Sequence, residues 1–187
     1  ILYVCCDNEA YMNTGIQGSS ATPLSAWTTT TPAPRGKRRP KKPILEIMAA
    51  HRIPYAATLS VGHPEDFLAK VRRARAMEGT RFLHILAPCP PGWRIVPKEM
   101  LQVARLAVDT RIFPLVEIED GVHVRITVMP KELPPVAHYL TPQGRFHHLG
   151  VDQIVTIQRS VDAAWMALRA RADNLGNGHG QGERPPA

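Results

Sequence analysis

From Pro43 onward the sequence alternates short β-prone runs with helical periods, and this alternation restricts the fold more than any other feature. Residues 43–51 (PILEIMAAH) carry a short helical pattern, and 54–60 (PYAATLS) read as a strand. Pro64 opens a helix with Glu65 and Asp66 in its first turn. Phe67, Val71 and Ala74 follow at helical spacing, and Arg72, Arg73 and Arg75 lie toward the end, an order that suits the helix dipole. Arg81 to Leu86 is an apolar strand that leaves through Ala87-Pro88-Cys89-Pro90-Pro91-Gly92-Trp93. Pro97 opens another helix carrying Met100, Leu101, Ala104 and Val108. Two short strands, 112–118 and 122–128, are joined at Asp120-Gly121, a hairpin dipeptide. A long helix from about Val151 to Ala172 presents Ile154, Ile157, Val161, Trp165, Leu168 and Ala172 at 3/4 spacing. The expected fold is α/β: a parallel sheet with right-handed crossovers, ending in a hairpin and a long helix. In such sheets ligands sit at the carboxyl ends of the strands.

The front of the chain is different. Residues 1–6 read as a buried strand ending at Asp7, and from Asp7 to about Pro34 the composition turns to Asn, Gly, Ser, Thr and Pro. Nearly thirty residues without a helical or strand period, inside a compact domain, call for a functional reason such as wrapping a ligand. Asp7, Asn8, Glu9, Asn13 and Thr14 place five oxygen-bearing side chains in eight residues, and Gly15 permits a tight turn. Hard cations such as Mg²⁺ take oxygen ligands and commonly bridge them to a phosphate. The same residues also suit an Asx-rich turn capping a strand, and spacing alone leaves both readings open.

Charge and cysteine content narrow the class further. The formal charge is +7, yet Arg35, Lys37, Arg38, Arg39, Lys41 and Lys42 fall within eight residues; without them 17 basic residues face 16 acidic ones. The high pI therefore reports one Pro-punctuated run, 35–42, which reads as a solvated loop. A nucleic-acid role for it is disfavoured, since the run holds no aromatic residue and the rest of the chain is near neutral. Docking of an acidic partner has a physical basis in electrostatic steering. Three cysteines, two of them the neighbours Cys5 and Cys6, make no disulfide framework and point to a reducing cytoplasm. No run approaches the roughly 18 apolar residues of a membrane span, and no signal peptide is expected. The opening on Ile-Leu-Tyr-Val, without Met, suggests a piece of a longer chain. One domain over 1–172 is expected, followed by a Gly- and Asn-rich disordered tail, 173–187. None of the eight histidines, His51 and the pair His147-His148 included, has metal or triad spacing.

Asp7-Asn8-Glu9-Ala10-Tyr11-Met12-Asn13-Thr14-Gly15-Ile16-Gln17, with Ser19-Ser20-Ala21-Thr22-Pro23 and Ala26-Trp27-Thr28-Thr29-Thr30-Thr31-Pro32, resembles the diphosphate-binding loop of a thiamine-diphosphate enzyme family. That family is the beta subunits of pyruvate- and branched-chain-type 2-oxoacid:ferredoxin oxidoreductases, the pyruvate synthase type. EIMAAHRIPYAATLSVGHPEDF, HILAPCPPGW and ARLAVDTRIFPLVE agree in the same order, so the resemblance runs from residue 1 to about 172. It implies a thiamine-diphosphate-binding fold. By position it implies Asn8 (side chain) and Ala10 (backbone carbonyl) as Mg²⁺ ligands, and Asn13 as the catalytic residue beside the thiazolium and the 2-oxoacid. Tyr11, Thr14 and Gly15 would complete the cofactor-contacting loop. Cys89, in the APCPPGW turn, would give one thiolate to a 4Fe–4S cluster; read alone, a single Cys in a Pro-rich turn without a CxxC is structural.

The implied reaction is oxidative decarboxylation of pyruvate or a branched-chain 2-oxoacid. Coenzyme A would accept the acyl group, and electrons would leave through iron–sulfur clusters to ferredoxin. The family's Gly-Asp-Gly and three further cluster cysteines lie upstream of these residues, and an alpha-type subunit supplies the cofactor-activating glutamate. A hetero-oligomer with alpha-type, gamma and delta subunits is therefore expected, and these residues alone are expected to be inactive. Gly18 departs from the family, whose members commonly carry a basic residue there. Two rivals stand beside this reading: a non-redox thiamine enzyme of decarboxylase or transketolase type, and a nucleic-acid-binding module working through 35–42.

Overall fold

The computed structural model describes residues 1–176. In chain order the elements are β1 (Leu2–Asp7), α1 (Ile44–Ala49), β2 (Tyr55–Ser60), α2 (Pro64–Ala76), β3 (Arg81–Leu86) and α3 (Pro90–Trp93). They continue with α4 (Met100–Asp109), β4 (Val116–Glu119), β5 (His123–Ile126), α5 (Ala137–Leu140) and α6 (Val151–Gly176). The strands form one sheet in the order β1-β3-β2-β4-β5. β3 lies parallel to both β1 and β2, while β4 runs antiparallel to β2, and β5 antiparallel to β4. The sheet is therefore mixed: its parallel part is β1-β3-β2, and the expected hairpin extends it on one side. Asp120 (φ 51) and Gly121 (φ 74) both take the left-handed conformation, and the Val122 N–H closes the turn onto the Glu119 carbonyl at 3.0 Å.

Period two in the strands separates two apolar layers. Ala56 and Phe82, with Val116 and Ile118, meet Leu45 and Ala49 of α1 and the far end of α6. On the opposite face, Tyr55, Ala57, Leu59 and Leu83 meet Phe67, Val71 and Ala74 of α2. A third cluster gathers beyond the carboxyl ends of the strands, where Leu86, Trp93, Val103, Ala107, Leu115, Tyr139 and Phe146 are buried together. The α6 stripe serves two of these layers. Ile154, Ile157 and Val161 pack on the third cluster, Leu168 and Ala172 on the first, and Trp165 between them is buried.

Several expectations are corrected. β1 is not a buried strand: among the described residues it forms one edge of the sheet, and Tyr3 is 57% exposed. Pro97 begins a short 3-10 turn, Pro97–Glu99, before α4 proper starts at Met100. Leu101 points outward, and the buried face of α4 is Val103, Ala104, Ala107 and Val108, so Ala104 and Val108 are buried as expected and Leu101 is not. α6 continues to Gly176; the rest of the expected tail, 177–187, lies outside the described residues. No helix among the described residues is long and apolar enough to cross a membrane.

Candidate cofactor loop and cysteine turn

β1 and β3 are neighbours and parallel, so the chain leaves both at the same end of the sheet. The pairing runs one step past the strands, where the Ala87 N–H donates to the Asp7 carbonyl at 2.9 Å. The loop after Asp7 and the turn after Leu86 therefore start side by side, and they stay in contact. Trp93 Nε1 donates to the Asn8 carbonyl at 2.9 Å. Gly92 has Met12 lying against its α-carbon: a Cβ there would collide with Met12 Sδ and Cε, and Cys89 Sγ would lie 3.7 Å away. Met12 and Cys89 both pack, half-buried, on the cluster around Trp93.

The loop has an inner and an outer part. Its acidic residues turn inward. Asp7 Oδ2 lies 2.6 Å from Lys41 Nζ and 2.8 Å from His84 Nε2, and Asp7 Oδ1 accepts the Glu9 N–H at 2.8 Å. Glu9, only 3% exposed, lies 2.7 Å from Lys41 Nζ through Oε1 and 2.7 Å from an Arg145 guanidinium nitrogen through Oε2. Arg145 is fixed in turn: it donates to Gln143 Oε1 at 2.9 Å and to the Tyr139 hydroxyl at 3.2 Å, and it stacks 3.9 Å from the Trp93 ring centroid. Two carboxylates and two cations thus neutralise one another beneath the loop. Burial opposes the Asp7 charge, but the His84 hydrogen bond and the Lys41 ammonium outweigh it and bring its pKa down to about 2. The same two carboxylates hold the Lys41 ammonium above its ordinary pKa despite its burial.

The outer part is the neutral one. Asn8 and Ala10 are half-buried, and Tyr11, Asn13, Thr14 and Gly15 are exposed. Residues 11–17 close on themselves: the Tyr11 and Gln17 backbones exchange hydrogen bonds at 3.0 and 3.3 Å, and Thr14 Oγ1 donates to Gln17 Oε1 at 2.6 Å. The threonine run braces this lariat from behind. Thr29 Oγ1 donates to the Gly15 carbonyl at 2.7 Å, and Thr30 Oγ1 accepts the Gly18 N–H at 2.8 Å. Thr22 Oγ1 donates to the Glu9 carbonyl at 2.7 Å.

These placements decide what the loop can hold. Asp7 and Glu9, engaged by Lys41, His84 and Arg145, are unavailable to a metal, so of the five oxygen-bearing side chains only Asn8, Asn13 and Thr14 remain. The Asn8 amide oxygen and the Ala10 carbonyl, two residues apart, are neutral hard donors of the kind Mg²⁺ takes alongside a phosphate. They fit as part of a ligand set whose charge must come from elsewhere. Cys89 likewise fits as one ligand of a cluster, and no group of three or more His, Cys, Asp or Glu side chains suited to a metal occurs among the described residues. Cys5 and Cys6 lie on β1 as strand residues. A crevice of about 560 Å³, between residues 40–46 and α6, is lined by Glu9, Lys41, His84, Phe113, Leu140 and Trp165 among others. None of Asn8, Ala10, Asn13 and Cys89 lines it.

The basic run is corrected as well. Arg35, Arg38, Arg39 and Lys42 are exposed, but Lys37 donates to the Thr22 carbonyl at 2.8 Å and Lys41 reaches Asp7 and Glu9. The run is a strap with two lysines turned in, not a uniformly solvated loop. Sequence reading missed Lys41, His84 and Arg145 as partners of the loop. The only signal available was an excess of buried-type acidic residues at a strand end, with no cation nearby in sequence.

Residues 1–85 match the family described as thiamine pyrophosphate enzyme, C-terminal TPP binding domain. The chain is 52% identical over 165 residues to the pyruvate synthase subunit PorB of Methanocaldococcus jannaschii, covering 87% of this chain and 55% of that one. It is 45% identical over 179 residues to the ketoisovalerate oxidoreductase subunit VorB of Pyrococcus furiosus, covering 94% and 58%. The PorB subunit of Methanothermobacter marburgensis is 49% identical over 172 residues, 90% of this chain and 59% of that one. A slighter likeness, TM-score 0.44 at 23% identity over 56% of this chain and 42% of the other, is to a 2-oxoglutarate:ferredoxin oxidoreductase from Magnetococcus marinus. The chain thus spans a little over half the length of the curated relatives it matches. With this identity over nearly its whole length, the chain belongs to the PorB/VorB family of 2-oxoacid oxidoreductase subunits, and its sheet to the thiamine-pyrophosphate-binding fold.

Proposed function

We propose that this chain forms the cofactor-loop part of a beta subunit in a 2-oxoacid:ferredoxin oxidoreductase, acting on pyruvate or a branched-chain 2-oxoacid with coenzyme A. One observation carries the reading. The loop after β1 and the cysteine turn after β3 leave adjacent parallel strands and touch through Met12–Gly92 and Asn8–Trp93. A thiamine site and a cluster cysteine would then sit within one packed unit, at the strand ends where such sheets bind ligands.

In this reading Asn8, through its side-chain oxygen, and Ala10, through its carbonyl, bind the Mg²⁺ that holds the diphosphate. Tyr11, Thr14 and Gly15 wall the thiazolium side. Asn13, exposed at the tip of the lariat, presents a neutral amide to the 2-oxoacid, where a preplaced donor stabilises developing oxyanion charge. Cys89 gives one thiolate to the 4Fe–4S cluster. The cofactors supply carbanion stabilisation and one-electron transfer, and the protein contributes binding, orientation and electrostatics. Remaining ligands and the activating glutamate come from outside these residues, so the working enzyme is a hetero-oligomer with alpha-type, gamma and delta subunits. Ferredoxin, an acidic partner, is attracted by the outward face of the strap: Arg35, Arg38, Arg39 and Lys42. Three free cysteines suit a reducing cytoplasm.

The test is Cys89→Ala in the assembled enzyme. Ferredoxin reduction is expected to vanish while thiamine diphosphate binding persists. Undiminished ferredoxin reduction would remove the cluster assignment and favour a non-redox thiamine enzyme.

A further inference from the structure

We propose that Lys41 is a positioning residue for the cofactor loop, reaching back from the basic strap to clamp Asp7 and Glu9 so that Asn8 and Ala10 are held at fixed geometry. The proposal rests on the reading of residues 7–17 as the cofactor loop. Its starting point is an ammonium 2.6 Å from one carboxylate and 2.7 Å from another, on residues that bracket Asn8. The bond to Glu9 spans 32 residues of sequence, so this is a tertiary clamp and not a local turn.

Glu9 shows what the clamp works against. Its backbone has φ 69, a left-handed conformation that a non-glycine residue adopts only when its surroundings hold it there. Those surroundings are fully specified: its N–H goes to Asp7, its carbonyl to Thr22, and its carboxylate to Lys41 and Arg145. Because Asn8 and Ala10 flank Glu9, the direction of the Ala10 carbonyl depends on this conformation. Lys41 itself has little freedom. The Lys42 N–H donates to the Ser20 carbonyl at 2.9 Å, the Lys37 N–H to the Ala26 carbonyl at 3.0 Å, and Lys37 Nζ to Thr22. Pro40 and Pro43, with their fixed φ, flank the pair Lys41-Lys42.

Charge gives the direction of the effect. Asp7 and Glu9 are balanced by Lys41 and Arg145. Removing the Lys41 charge leaves two neighbouring carboxylates to one guanidinium, and the excess negative charge lies directly under a loop that has to accept a diphosphate. His84 stays on Asp7 and Arg145 on Glu9, so the loop keeps two anchors; what it loses is the tie between the two carboxylates. Lys70 supplies a matched control. It too is a lysine paired to a carboxylate, with Asp66 at 2.7 Å and the Thr58 carbonyl at 2.9 Å, and it belongs to the α2 layer on the opposite face of the sheet from His84.

The experiment compares Lys41→Met, Lys41→Arg and Lys70→Met in the enzyme assembled with its partner subunits. Thiamine diphosphate is titrated calorimetrically in the presence of Mg²⁺, and backbone hydrogen exchange of residues 8–18 is followed without cofactor. Lys41→Met is expected to weaken binding about 10- to 100-fold, the usual effect of losing a group that orients metal ligands. It should also speed exchange of 8–18. Lys41→Arg, which keeps the cation, should restore both, and Lys70→Met should change neither even where it lowers the melting temperature. Wild-type affinity and exchange in Lys41→Met, or an equal loss in Lys70→Met, would overturn the proposal. A wild-type enzyme that binds no thiamine diphosphate would instead sink the cofactor reading, while the exchange data would still report whether Lys41 orders the loop.

Discussion

Asp7 is the residue on which strand, loop and strap converge, and its protonation should be visible in stability. Its pKa of about 2 lies below the ordinary 3.8, so the folded state favours the charged carboxylate. A depressed pKa contributes stability that is complete above the unfolded value and is lost as pH falls through the folded one. The expected loss is about 2 kcal/mol between pH 4 and pH 2. Denaturant unfolding of wild type and Asp7→Asn across that interval tests it: the wild type should lose stability more steeply, and parallel curves would contradict the assignment. Asp7 also shows why part of the site could be read from sequence and part could not. Asn8, Asn13 and Thr14 stand out because they are polar residues within one short stretch. The division of labour among them depends on Lys41, His84 and Arg145, which lie far along the chain and reach the loop only after folding. Two acidic side chains that looked like metal donors are consequently turned inward as counter-ions.

Elements were legible wherever a period governs packing. The α2 stripe, β2, β3, the Asp120-Gly121 hairpin and the long α6 stripe follow from apolar spacing and turn residues, because each element's buried positions recur at its own period. Direction was not legible. β4 joins the sheet antiparallel to β2, and alternation of apolar residues looks the same for either orientation. Lys70, at a helical position facing β2, is buried through a pair with Asp66 one turn earlier and the Thr58 carbonyl, a role that charge alone disguises. The hairpin carries its own prediction. Gly121 has a positive φ, and a Cβ there would collide with the Ala49 carbonyl oxygen of α1. Gly121→Ala should therefore cost about 2 kcal/mol or more, from left-handed strain plus a backbone clash. Thermal unfolding checks this, and an unchanged melting temperature would show that α1 yields to the turn.

At the scale of the whole molecule, the sheet's carboxyl end gathers three features that are separate in sequence: the polar loop after β1, the strap from 35 to 42, and the proline-rich turn holding Cys89. The strap is pinned inward by lysines and presents arginines outward, so one segment both steadies the loop and offers a basic surface. The Trp93–Arg145–Glu9 contacts tie the cysteine turn to the same buried charges, which makes the loop and the turn a single mechanical unit. The role proposed for residues 7–17 is to hold Mg²⁺ and thiamine diphosphate. Calorimetric titration of thiamine diphosphate into the assembled enzyme, with and without Mg²⁺, for wild type and Asn8→Leu, tests that role. Magnesium-dependent binding is expected, weakened about 10- to 100-fold in Asn8→Leu, as befits loss of a metal donor. Equal affinity in Asn8→Leu, or wild-type binding indifferent to Mg²⁺, would contradict it.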